Sequence, residues 1–299
     1  MPLVALVCLA LSMLMVGGNI AIGKAVLADF PVFLFAFLRF LIACLALAPG
    51  MLSRPVRRGL DRGAARGLFL QSFFGCFLFS LFMLYGVTLT SATSAGIITS
   101  ATPCLIALLA WLWLRERVDT RSALAIVLAV GGIALLNLLE ADGGRDSLLG
   151  NLMVLGAVLA EALFAIYSRW LSLRLHPWAM AFGVNLVGLL LFLPLALPQL
   201  LAFDWHTPTA ATWGLLMFYA ITASVLSFLL WYRGIRQVPA NIAGLFTGLM
   251  PVSAALVAVL GLGESFALSH ALGMSLVLGA ILLGAWRPRS IRESRATAS

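Results

Sequence analysis

Apolar residues run along this chain in ten long blocks, separated by short polar stretches. The blocks fall roughly at 3–23, 32–51, 67–88, 93–114, 122–139, 148–171, 178–200, 212–232, 241–262 and 269–286. Crossing a hydrocarbon core of ~30 Å takes about 20 apolar residues in a helix, so each block predicts one membrane-spanning helix. No segment between them is long enough for an aqueous domain. The pattern therefore predicts an all-α integral membrane protein of ten transmembrane helices.

The second half of this pattern repeats the first. Ala95-Gly96-x-x-Thr99-x-x-x-Pro103, followed by Glu116, recurs as Ala243-Gly244-x-x-Thr247-x-x-x-Pro251, followed by Glu264, at an offset of 148 residues. Over 95–135 against 243–283, 16 of 41 positions are identical without a gap. Tyr85-Gly86 stands opposite Arg233-Gly234 at the same offset. With looser register, Pro31 and Arg39 align with Pro177 and Asn185, and Gly17 and Lys24 with Ala162 and Arg169. Five helices per repeat is an odd number, so the second copy would enter the membrane from the opposite side. Two inverted five-helix repeats are the architecture of carriers that open alternately to either face. The expected division is a first repeat over 1–140, a second over 147–290 and a cytoplasmic tail over 291–299. The acidic, glycine-containing stretch Glu140–Asp146 is the expected linker.

Composition agrees. Of the 299 residues 63% are hydrophobic and 10% charged. That is too few charges to solvate a globular surface, since soluble domains carry about 25%. The mean hydropathy is +1.08. The net charge of +8 might suggest a nucleic-acid partner, but its distribution points elsewhere. With the N-terminus in the cytoplasm, 16 of the 19 basic residues fall in cytoplasmic loops or the tail, and only Lys24 and Arg145 on the opposite side. This asymmetry is the positive-inside signature, and it places both termini in the cytoplasm of a bacterial inner membrane. The first block lacks the basic start and small-residue cleavage site of a signal peptide. All eight Trp lie near block ends, as an interfacial belt requires. Cys8, Cys44, Cys76 and Cys104 all lie inside spans, which reads as small buried hydrophobes rather than disulfides or a metal cluster.

The motifs resemble the EamA-type transporters of the drug/metabolite transporter superfamily. Val16-Gly-Gly-Asn-Ile-Ala-Ile-Gly-Lys24 is similar to that family's W-G-x-N-F-x-x-x-K. Phe37-Leu-Arg39-Phe, Thr93 to Pro103, Trp113-Leu-Arg-Glu116-Arg, Leu230-Trp-Tyr-Arg233, Pro251 and Leu262-Gly-Glu264 extend the match along nearly the whole chain. The resemblance implies a ten-helix carrier, usually an exporter of small metabolites or drugs and often proton-coupled. Val16 replaces the family's tryptophan, and Glu161 occupies the equivalent place in the second repeat, so relatives are a poor guide to substrate.

Two ionisable side chains sit deep in the spans, Arg39 and Glu161. At ~1.5 Å per residue they lie about 12 and 20 Å from the outer edge, close enough to meet if their helices are adjacent. A lipid-facing charge costs at least ~2.5–3.5 kcal/mol, so both should point inward. Glu161 is the candidate proton acceptor or cation ligand, and Arg39 the candidate anion anchor or counter-charge. A static ion pair is the plainer alternative. Asn19, Asn185, Thr99, Thr102 and Thr247 could ligate substrate or serve as interhelical glue. Tyr85, Trp231 and Tyr232 could stack on an organic solute, with the aromatic belt the blander role for Trp231. Pro103 and Pro251, each midway along a span, are candidate hinges, because proline removes a backbone hydrogen bond and kinks a helix. Glu116 and Glu264 lie at helix ends, where ion pairing suffices.

Other chemistries find no support. Gly18-x-x-x-x-Gly23-Lys24 mimics a phosphate-binding loop but is followed by Ala25 and has no preceding strand. His176, His206 and His270 are isolated, and no zinc or nucleophile-elbow motif occurs. The expected activity is secondary transport of small molecules such as amino acids, related solutes or drugs, with protons as a possible coupling ion. No cofactor, metal or nucleic acid is expected, and lipid is the surrounding partner. An integral-membrane enzyme on lipid or isoprenoid substrates would need clustered carboxylates or histidines at one face. A passive channel or uniporter remains the other alternative.

Overall fold

The computed structural model describes residues 2–90, 92–137, 147–262 and 268–285. The linker 140–146, Glu264, Trp286 and the tail lie outside the described residues. Within them the chain is all-helical. In order the helices are α1 (Leu3–Val26), α2 (Val32–Leu47), α3 (Arg54–Arg57), α4 (Arg62–Ser72), α5 (Phe79–Leu89), α6 (Ala92–Ser100), α7 (Thr102–Leu114), α8 (Thr120–Asn137), α9 (Leu148–Ser172), α10 (Pro177–Ala202), α11 (Ala210–Tyr219), α12 (Ser227–Ile235), α13 (Ala240–Leu245), α14 (Leu249–Leu262) and α15 (Leu268–Ala285). Six continuous helical stretches are long and apolar enough to cross a membrane: Leu3–Val26, Val32–Leu52, Arg62–Leu89, Leu148–Ser172, Pro177–Ala202 and Ala210–Ile235. Four shorter apolar helices, Thr102–Leu114, Thr120–Leu135, Ala240–Ala254 and Ala271–Ala285, accompany them.

Local sequence explains the boundaries. Asp61, Ser147 and Thr209 each cap a helix start by accepting the backbone N–H three residues on, satisfying one of the orphan donors there. Pro177 opens α10 in the first turn, where its missing N–H is not needed. Long aliphatic side chains such as Leu148, Leu190 and Leu282 remain exposed, as expected of surfaces facing lipid.

The element bounds recur at the offset found in the sequence. Thr120–Asn137 and Leu268–Ala285 correspond end to end at 148 residues, as do the starts of α4 and α11, of α5 and α12, and of α6 and α13. Packing recurs as well. α1 lies against α12 and α14, and α9 lies against their counterparts α5 and α7. α2 runs along α10, and α8 along α15.

Two irregularities occur in each half. The stretch Arg62–Leu89 contains a π-helical turn at Phe73–Leu78, and Ala210–Ile235 contains one at Ala220–Leu226. At the 148 offset their ends coincide and their starts differ by one residue. The fourth block is interrupted at Ala101, between α6 and α7. The ninth is interrupted by a 3-10 turn at Phe246–Gly248, between α13 and α14. Pro103 therefore does not kink a continuous helix, and Pro251 follows a 3-10 turn within the helical run Ala240–Ala254. Each stands in the first turn of the helix that follows the interruption, where proline costs no α-helical hydrogen bond.

Three of the four cysteines are buried as expected, but Cys104 is exposed. The aromatic belt also needs correction. Trp231 is 2% exposed, inside the core beside Tyr232, because its face of α12 turns toward the packed helices rather than the membrane interface.

Candidate functional site

The polar side chains of the spans gather around the two π turns and the two helix breaks. Glu161, on α9, is half-buried. It faces the break between α6 and α7. The Thr102 hydroxyl donates to the Thr99 carbonyl at 2.8 Å and lies 3.4 Å from Glu161 Oε2. Its one proton is committed to the nearer oxygen, so Glu161 keeps only a contact at the weak limit of a hydrogen bond. Among the described residues Glu161 forms no ion pair.

Arg39 stands elsewhere. Its guanidinium covers the Phe40 ring at 4.2 Å and lies 5.8 Å from the Tyr219 ring. Its helix packs on α10 and on the second π turn rather than along α9. No ion pair joins Arg39 to Glu161. The depth estimate was compatible with one, but depth along the membrane normal says nothing about which helices are neighbours.

The second π turn is held by two asparagines. Asn19 Nδ2 donates to Met15 O at 2.7 Å and to Thr222 Oγ1 at 2.9 Å. Asn185 Nδ2 donates to Ala181 O at 2.7 Å and to Ser224 O at 2.8 Å, while its Oδ1 has no partner. A π turn leaves a carbonyl outside the regular ladder, and Asn185 satisfies one such group. The first π turn instead accommodates α9 at Gly75, where a Cβ would come within 2.3 Å of Phe164. A similar close approach occurs at Gly17. A Cβ there would lie 2.2 Å from Met250 O, so α1 crosses the break before α14 backbone to backbone.

Thr247 is buried and donates to Gly244 O at 2.7 Å, the same back-bond that Thr102 makes to Thr99. Thr99 is half-buried. Tyr232 is wholly buried, and its hydroxyl accepts from Gln71 Nε2 at 3.1 Å, with the other Gln71 N–H going to Ser168 Oγ at 2.7 Å. Gln71 Oε1 has no partner. Tyr85 is 50% exposed at the end of α5, away from this seam. The structure thus brings Glu161 together with Thr102 and Thr99, and Asn19 and Asn185 to one π turn, while Arg39 and Tyr85 stand apart from Glu161.

Sequence reasoning passed over Gln71 and Ser168. Gln71 is an amide inside an apolar block, the same signal that singled out Asn19 and Asn185. It also passed over the π turns, for which no composition rule exists.

At the arginine-rich end a further cluster joins both halves of the chain. Arg115 ends α7 in the left-handed region, φ 53°, a conformation that costs a non-glycine residue roughly 1–2 kcal/mol. The next residue, Glu116, accepts the backbone N–H groups of Ala240 at 2.9 Å and Asn241 at 3.2 Å. Arg169, from the end of α9, reaches Glu116 at 3.7 Å and donates to the carbonyls of Ile235 at 2.9 Å and Arg236 at 2.7 Å.

Interrupted helices, paired π turns and a half-buried carboxylate describe a membrane protein with polar groups set among its apolar helices. Comparison with known proteins gives that description a family. Residues 3–138 and again 148–285 match the EamA-like transporter family. The chain belongs to it. It is 40% identical over 285 residues to the uncharacterized transporter YetK of Bacillus subtilis, covering 93% of this chain and 86% of that protein. It is 25% identical to the uncharacterized transporter YvbV of the same organism, over 92% and 89% of the two chains. The uncharacterized inner membrane transporter YicL of Salmonella typhimurium is 26% identical over 75% and 74%. A solved crystal structure superposes with a TM-score of 0.77 at 18% identity, covering 93% of this chain and 95% of that one, and so shares the fold. This EamA-family chain is accordingly a multi-pass, all-helical membrane protein of the transporter class.

Proposed function

We propose that this EamA-family chain is a secondary active transporter that exports a small organic solute by alternating access, built from ten membrane helices in two inverted five-helix repeats over 1–140 and 147–290. The observation that carries the reading is the recurrence of irregular elements. The π turns at Phe73–Leu78 and Ala220–Leu226 match at the 148 offset to within one residue, and the helix interruptions beside Pro103 and Pro251 fall within three residues of it. Broken helices near the midplane of paired repeats are where carriers bind their solute, because the ends of half-helices leave backbone groups free to do so. Inversion follows from the odd number of spans per repeat. The arginine asymmetry supports a bacterial cytoplasmic membrane with both termini inside, and the inner-membrane relative agrees with it.

Glu161 is the coupling residue in this reading. It lies at a helix break, half-accessible, with no ion pair among the described residues. A carboxylate in that position must take up either a proton or a cationic group as water is excluded. Thr99, Thr102, Asn19 and Thr247 line the breaks and the second π turn as polar contacts for solute. The seam of Gln71, Ser168 and Tyr232 continues this polar surface toward the arginine-rich face.

The test is uptake into proteoliposomes containing the purified chain, with a panel of amino acids, nucleobases and organic cations, with and without an imposed pH gradient. The reading expects at least one class to accumulate against its own gradient when protons flow the other way. Equilibration without accumulation for every transported member would make the protein a uniporter or channel.

A further inference from the structure

The cluster of Glu116 and Arg169 does more than pair two charges. Glu116 uses both carboxylate oxygens on the first two N–H groups of α13, and Arg169 uses one nitrogen on the last carbonyl of α12 and the one after it. Together they clamp the 235–241 connection from opposite sides, the anion on the helix start and the cation on the preceding helix end, each where the backbone dipoles favour its charge. Glu116 comes from the first half of the chain, while Arg169 and the connection come from the second.

Where the counterparts at the other face are described, they are more exposed. Ile235 is 0% exposed, and its counterpart at the 148 offset, Val87, is 47% exposed. Phe246 and Thr247, just after α13, are buried, whereas their counterparts Ile98 and Thr99 are only half-buried. Lys24, which aligns with Arg169, is exposed and makes no ion pair among the described residues. The described counterparts at the two ends of one repeated plan thus differ in burial.

We propose that Glu116 and Arg169 are positioning residues for transport. They latch the arginine-rich face shut by holding the 235–241 connection and α13 over the inner half of the path, and their release opens the carrier to that face. This rests on the alternating-access reading. The latch touches no solute. It decides which face the Glu161 region can reach. Each charged hydrogen bond contributes enough that losing one partner shifts a two-state equilibrium by about tenfold.

The test measures labelling by a membrane-impermeant maleimide in oriented vesicles holding the full chain. The background carries Cys104→Ala. One reporter is Ser168→Cys, buried just inside the latch, and the other is Thr99→Cys, half-buried toward the opposite face. In Glu116→Gln and in Arg169→Gln, Ser168→Cys should react about tenfold faster from the arginine-rich face. Thr99→Cys should react more slowly from the other. Unchanged rates in both variants overturn the proposal. So does faster labelling of both reporters, or loss of the folded protein in both variants, because either would make the cluster a structural clamp. Labelling needs no solute, so the two readings fail separately. Flat labelling with persistent solute exchange removes the latch, and switched labelling without any flux removes the carrier.

Discussion

Glu161 and Arg39 show what a single charged residue in a span does and does not reveal. Both were legible in the sequence as inward-facing, because a charge facing lipid is too costly. Their separation was not legible, since it depends on α2 lying along α10 and α9 lying along α5 and α7. It changes the expected mutant behaviour. Glu161→Gln should abolish solute accumulation driven by a pH gradient yet retain solute exchange, because exchange needs no net deprotonation. Adding Arg39→Leu should not rescue it. The two effects should add, as they do for sites without shared partners. Recovery of accumulation in the double variant, read in the same proteoliposome assay, would mean that the two charges work as a pair. Gln71 and Ser168 mark the limit of residue-level reading. Their importance comes from meeting Tyr232, which three separate helices bring together.

The broken helices are the elements on which the account depends. The sequence marked them through Pro103 and Pro251 but suggested kinks. A proline in a helix interior and a proline opening a new helix look alike in one dimension. The difference lies in Ala101 and in Phe246–Gly248, where no side-chain signal announces the break. If these breaks are hinges, Pro103→Ala or Pro251→Ala restores an N–H that lets the helices rejoin. Transport should then slow by about tenfold or more while insertion and thermal stability change little, since the proline sits where it breaks no bond. Unaltered rates in both variants would make the breaks packing features. The π turns were invisible beforehand. FFGCFL and AITASVL share no pattern, and only the coordinates place them at one offset.

At the scale of the molecule the sequence was most informative. The 148-residue offset recovered from 16 identities reappears in helix bounds and packing partners, and to within three residues in the π turns and helix interruptions. Repetition is legible because each copy must bury the same faces against the same neighbours. What one sequence cannot show is which face is open, since both states use the same residues. The difference between Ile235 and Val87 appears only in three dimensions. The central claim is that one site is exposed alternately to the two faces. Its most direct measurement is counterflow, in which efflux of a radiolabelled panel solute from proteoliposomes is followed with and without the same solute outside. Alternating access predicts that outside solute accelerates efflux severalfold, because the loaded carrier returns faster than the empty one. A path open to both faces at once would give efflux that outside solute leaves unchanged, and that result would contradict the account.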